Sequence, residues 1–295
     1  MEKVSVFIIT LNEERNIKRC LESVKWADEV VVVDSFSKDK TVKIAKDFGC
    51  KVYHMEFTGF GPVKNFALSK TKNLWVLNID ADEFLSNGLI EEIKETMRSP
   101  QFSGYYFPRK SYVGKRWLKY SGQYPSYQLR LFRKDIGKFE NVDLHERVKT
   151  DGKVGHMKND MMHYNYESWS VFIQRMDRRT AMEAQELLRK KHVWFYSRRE
   201  IKSFFSEFLK MRKNGNTILN SVRLAKNVMR GYELIPAIPF RPFCTFFRRY
   251  LLQQGFRDGM YGFIWCMFSS IHTFIAYAKY YELKHKLAGF EWEPF

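Results

Sequence analysis

The chain has little cysteine, and none of it is paired along the sequence. Cys20, Cys50, Cys244 and Cys266 are scattered through 295 residues with no CxxC spacing. That argues against a zinc site or a disulfide framework and for free thiols in a reducing compartment. No GxGxxG follows the first apolar run, which excludes a dinucleotide-binding dehydrogenase. No glycine-rich phosphate loop stands near the start of the chain, which weighs against a nucleotidyltransferase. There is no internal repeat and no low-complexity tract. The apolar run after Met1-Glu2-Lys3 is too short for a secretory signal and reads as a buried strand, so a cytosolic location is the expectation. Acids are in deficit, with 33 Asp and Glu against 50 Lys and Arg and a net charge of +17. Joined to 17% aromatic residues, that excess implies an anionic partner: nucleic acid, an anionic membrane surface or phosphorylated substrates. A hydrophobic content of 45% excludes global disorder, and the length suffices for one substantial core plus an appendage, or two modest domains.

What is present falls into two regions, 1–165 and 166–295. In the first, apolar runs alternate with amphipathic stretches. Val4 to Thr10 is a continuous β-branched and aromatic run, expected of a strand covered on both faces. Ile17, Cys20, Leu21 and Val24 then form one helical stripe. Glu29 to Asp34 is a second buried strand. Val42, Ala45 and Phe48 mark another helix, with Gly49 placed to end it. Lys51 to Met55 and Leu74 to Ile79 are further strands around a helix near Val63 to Leu68. Such alternation predicts an α/β fold with a mostly parallel, Rossmann-like sheet, whose ligand lies at the carboxyl ends of the strands.

Those ends carry acids. Strand one ends in Thr10-Leu11-Asn12-Glu13-Glu14, strand two in Asp34, and the Leu74 to Ile79 strand in Asp80-Ala81-Asp82-Glu83. Two carboxylates two residues apart at the lip of a buried strand can share a hard divalent cation, Mg²⁺ or Mn²⁺, that also binds phosphate oxygens. The competing reading is a solvated acidic turn. Its position after an apolar strand, matched by Asp34 at another strand end, favours the ion.

The ordered set of motifs resembles the family 2 glycosyltransferases of GT-A fold. It comprises Ser5 to Thr10 with Leu11-Asn12-Glu13-Glu14, Val30 to Asp34, Gly59-Phe60-Gly61 with Lys64-Asn65, and Ile79-Asp80-Ala81-Asp82-Glu83. Gly122-Gln123-Tyr124-Pro125, Arg130-Leu131-Phe132-Arg133, Leu144-His145-Glu146, His163-Tyr164 and Gly255-Phe256-Arg257-Asp258-Gly259 extend it toward the lipopolysaccharide core β-1,4-glucosyltransferase subgroup. The subgroup often carries Trp and Asp where this chain has Gln123 and Ser126, so the sugar is left open. The resemblance implies an inverting, metal-assisted transferase that moves a sugar, glucose from UDP-glucose, to a lipid-linked saccharide such as the lipopolysaccharide inner core. It implies Thr10, Asn12, Glu13, Asp34, Lys64 and Asp80 as nucleotide-sugar contacts, Asp82, His145 and His163 as metal ligands, and Glu146 as the base. Lys64 has the rival reading of a solvated helix lysine, and Glu146 that of a surface acid paired with Arg147.

From residue 166 the pattern is helical, basic and aromatic. Trp169 to Lys191 predicts a helix, and Arg198, Arg199, Lys210, Arg212 and Lys213 follow with few acids between them. Gly259 to Ala278 holds no acid, lysine or arginine, yet Ser269, Ser270, His272 and Thr273 interrupt it. An interfacial or buried helix is therefore favoured over a span, with the enzyme peripheral at the cytoplasmic face of the inner membrane. A nucleic-acid-binding protein is the main non-enzyme alternative, but it leaves the strand-end carboxylates unexplained, and no nucleic acid is expected as a partner.

Overall fold

The computed structural model describes residues 1–139, 148–150, 152–189 and 237–287. The chain divides into two compact units, one of residues 1–119 and 123–172, the other of 120–122 and 173–295.

The first unit is mixed α/β. Its strands β1 (Val4–Thr10), β2 (Glu29–Asp34), β3 (Lys51–His54) and β4 (Trp75–Asp80) are joined by helices α1 (Ile17–Ser23), α2 (Thr41–Asp47) and α3 (Phe60–Lys70). They lie in the order β3-β2-β1-β4, all parallel. All seven residues of β1 are buried, which is why its sequence is apolar apart from Ser5 and Thr10 rather than alternating. Its side chains still alternate between two cores: Val4, Val6 and Ile8 join one, Phe7 and Ile9 the other. Gly49 follows α2 with φ of +74°, a conformation that a glycine reaches without strain.

Beyond β4 the sheet ceases to be simply parallel. After β5 (Glu83–Leu85) and α4 (Asn87–Thr96) come β6 (Gly104–Val113), β7 (Arg116–Trp117), β8 (Ser126–Arg133), β9 (Gly137–Phe139), β10 (Val148–Thr150), β11 (Val154–His156) and β12 (Met161–Tyr166). β8 runs antiparallel to β4 and β6, while β12 is parallel to β6 and antiparallel to β5. The expected mostly parallel sheet thus holds for its first half, and a mixed half is built onto β4. The chain order steps from β1 outward to β3 and then returns to β4 on the other side of β1. The reversal of strand order falls at β1 and β4, and in α/β sheets ligands bind at the carboxyl ends of the strands at such a point.

The second unit is helical among its described residues. α5 (Trp169–Arg189) starts in the first unit and continues into the second, and α6 (Ala237–Phe247) leads through a π-helical turn (Arg248–Leu252) and a 3₁₀ turn (Gly255–Asp258) into α7 (Gly259–Leu287). Among the described residues no helix is long and apolar enough to cross a membrane.

Candidate active site

The site is assembled by strand register. β1 pairs with β2 so that Thr10 stands opposite Asp34, and with β4 so that Ile9 stands opposite Asp80. The loops after β1 and β2 are then laced together. Asn12 receives Lys38 N–H on its Oδ1 at 2.8 Å and donates its own N–H to Ser37 Oγ at 2.8 Å. Glu13 N–H donates to Thr41 Oγ1 at 2.8 Å, and Lys40 N–H reaches Glu14 Oε2 at 3.0 Å. Asn12 and Phe36 both have positive φ, 55° and 62°. Asn tolerates this, but a phenylalanine does so at a cost of roughly 1–2 kcal/mol. Phe36 is largely exposed and its ring stacks on His54, with centroids 5.6 Å apart. Asp34 is fully buried; its carboxylate accepts from Ser37 N–H and Oγ and lies 3.4 Å from His54 Nδ1. Thr10 is buried too, and its hydroxyl has no hydrogen-bond partner.

At the end of β4 the acids meet buried cations. Lys64, on α3 and only 3% exposed, places Nζ 3.1 Å from Asp80 Oδ1, so it is not a solvated helix lysine. Arg130, on β8, donates to Asn78 Oδ1 and Asp80 Oδ2 at 2.8 Å and to Glu83 Oε1 at 2.6 Å. Glu83, also buried, accepts from Asp80 N–H at 3.1 Å and from Arg109 at 3.3 Å. The Asp80 side chain is about 30% exposed. Burial alone would raise its pKa, but the Arg130 and Lys64 cations outweigh this and hold the carboxyl well below the usual carboxylate range. Burial works the other way on Arg130, and the two acids keep its guanidinium firmly charged.

Asp82 lies one turn of chain further. Its carbonyl accepts from Tyr164 N–H at 3.0 Å, which ties the turn to β12, and its Oδ2 is 3.4 Å from His163 Nε2. The imidazole is mostly buried, and its Nδ1 has no partner. Glu83 pairs with His163 across β5 and β12, so the antiparallel half of the sheet delivers the histidine to the acidic turn.

The structure therefore brings Lys64, Asp80, Asp82 and His163 to one strand-end region, and Thr10, Asn12, Glu13 and Asp34 to the adjoining loops. His145 and Glu146 lie outside the described residues. Among the described residues no group of three or more His, Cys, Asp or Glu side chains is placed to hold a metal. The pair Asp82 and His163 still suits a divalent ion that completes its shell with water and substrate phosphate, since Asp80 is already engaged by cations. Sequence reasoning did not assign roles to Arg130, Arg109 or Asn78. The signal was available: a charge inside the apolar run Leu129-Arg130-Leu131-Phe132 requires a buried partner.

Residues 5–151 match the model of glycosyl transferase family 2. An uncharacterized glycosyltransferase of Rickettsia typhi is 35% identical over 206 residues, covering 64% of this chain and 69% of that protein. The lipopolysaccharide core biosynthesis glycosyltransferase LpsC of Rhizobium meliloti is 27% identical over 292 residues, covering 96% of this chain and 93% of LpsC. Among solved structures, residues 1–349 of TarS from S. aureus share 18% identity with a TM-score of 0.43 over 90% of each chain. The chain belongs to glycosyltransferase family 2.

Proposed function

We propose that the chain is an inverting, metal-assisted glycosyltransferase that moves glucose from UDP-glucose to a lipid-linked saccharide such as the lipopolysaccharide inner core, at the cytoplasmic face of the inner membrane. The observation that carries this reading is the Lys64–Asp80–Arg130–Glu83 network beside Asp82 and His163 at the sheet's reversal point. The name of LpsC, matched along almost its whole length, supports the choice of acceptor.

In this reading the laced loops carrying Thr10, Asn12, Glu13 and Asp34 cradle the nucleoside. The exposed ring of Phe36 offers the base a flat apolar surface. Lys64 and Arg130 fix the Asp80 carboxylate and keep it ionised beside the ribose. Asp82 and His163 would hold the cation, with His145 as a further ligand. When bound, that cation supplies Lewis-acid neutralisation of the departing diphosphate. Glu146 takes the acceptor hydroxyl proton as the new glycosidic bond forms on the face opposite the leaving group. Incubating the protein with UDP- and GDP-sugars in the presence of Mn²⁺ or Mg²⁺ tests the reading. Slow hydrolysis of UDP-glucose in preference to the GDP-sugars is the expected result, and binding of none of them overturns it.

A further inference from the structure

Helix α7 has its polarity turned outside in. Ser270 donates to Pro242 O at 2.7 Å, Thr273 stands 3.4 Å from Thr245, and His272 lies 3.5 Å from Glu183, so its polar side chains face neighbouring helices of the same unit. Met260, Phe263, Met267, Ile271 and Phe274 are exposed, spaced three or four apart as one stripe of a helix, with Tyr261, Tyr281, Glu282 and Lys284 exposed beside or beyond them. A helix facing water shows the opposite arrangement. Helix α6 does the same on a smaller scale: Phe240, Phe243 and Phe247 are 55%, 67% and 57% exposed, while Thr245 between them is buried. Leu251, Leu252 and Phe256 continue the exposed apolar surface through the connecting turns. An unbroken display of this kind marks a surface that is covered in use.

The charges around it identify the cover. From Ala237 to Lys279 the chain carries Arg241, Arg248, Arg249, Arg257 and Lys279 against one acid, Asp258. That acid is buried and accepts Tyr120 N–H at 2.8 Å. We infer that α6, α7 and the turn between them form an in-plane lipid-inserting surface, whose phenylalanines enter the acyl boundary of an anionic leaflet while the arginines meet its phosphates. Large apolar side chains beside cations, on helices that do not span, are what interfacial insertion requires. Phe263 lies in the stripe, while Trp265 is buried and faces the protein. The basic residues 198–213 expected to share this role lie outside the described residues. The inference rests on the proposed function only for the choice of an anionic inner leaflet.

Flotation of the full chain with vesicles of phosphatidylcholine, alone or mixed with phosphatidylglycerol, tests it. Binding should be strong only with the anionic lipid, and high salt should weaken it without abolishing it, because apolar insertion is not screened. The exposed-site variants Phe243→Glu/Phe247→Glu and Met267→Glu/Phe274→Glu should each bind on the order of tenfold more weakly or less. Lys18→Glu, on an exposed position of the other unit and with the same change of two charges, should bind like the wild type. Vesicle binding unaffected by either pair overturns the inference. So does a wild-type dimer in sedimentation that these pairs dissociate, without vesicle binding, since a second copy would then be the cover. UDP binding measured on the same preparations should not change. Its absence from the wild type would count against the transferase reading and leave the vesicle result standing.

Discussion

The two units solve opposite problems with charge. In the first, carboxylates and cations are drawn inward: Glu83, Lys64 and Arg130 are each less than 5% exposed, with Arg130 paired to Glu83 and Asp80 and Lys64 paired to Asp80 at the end of a buried strand. In the second, hydroxyls and a histidine are turned inward while phenylalanines face out. The inward charges define a rigid place where phosphate charge can be met. The outward rings define a surface that water alone does not suit. The proposed transfer from a soluble anionic donor to a lipid-linked acceptor would use one surface of each kind.

The comparison can be broken at four points, and Arg130 is the severest. Arg130→Met strips the buried Glu83 carboxylate and the part-exposed Asp80 carboxylate of their shared cation and should cost about 3–5 kcal/mol of stability near neutral pH. The pH dependence carries the signature. Because the folded pKa of Asp80 is depressed, its contribution is fully present above the ordinary carboxylate pKa of about 4 and fades as the pH falls below that value. Thermal unfolding from neutral to acid should therefore show the gap between variant and wild type narrowing below about pH 4. A constant gap would mean that Arg130 acts through packing alone. Asp82→Ala comes next: turnover should fall on the order of 10²–10³-fold with the fold intact, and metal-dependent UDP binding should be lost. Equal activity of variant and wild type, with or without EDTA, would remove the ion from the account. Glu146→Gln keeps the shape of the residue and removes the proton acceptor, so turnover should drop about 10²-fold or more while donor affinity persists. If affinity collapses instead, Glu146 binds and another acid is the base. Phe36→Ala is the mildest, raising the dissociation constant of UDP about tenfold through lost stacking. No change in titration calorimetry would make its strained backbone a loop feature only. None of the four should alter vesicle binding.

The parallel half of the first unit was legible because β1, β2 and β4 are buried on both faces and read as unbroken apolar runs. Asp34, Asp80 and Asp82 were legible for the same reason, as acids placed where such runs stop. The mixed half was not. Its strands alternate, carry Arg109, Lys110 and Arg130 within them, and are ordered by pairings that join β4 to β8 and β5 to β12 across long stretches of sequence. The meeting of His163 with Asp82 depends on those pairings, so the sequence could nominate both residues but not join them. In the second unit, apolar residues occur on both faces of α7, Trp265 and Tyr277 inward and Met267 and Phe274 outward. Both sets are apolar, so the sequence does not say which stripe faces out, and only the position of neighbouring helices tells them apart.

The central claim is that the acids at the end of β4 and its turn form a metal-assisted nucleoside diphosphate site. Titration calorimetry of UDP into the full chain, first with Mn²⁺ and then with EDTA, tests it most directly. The account predicts saturable binding that weakens sharply on chelation, and in Asp82→Ala only that weak metal-free binding with or without the ion. Binding of equal strength with and without the ion, retained in Asp82→Ala, would contradict it.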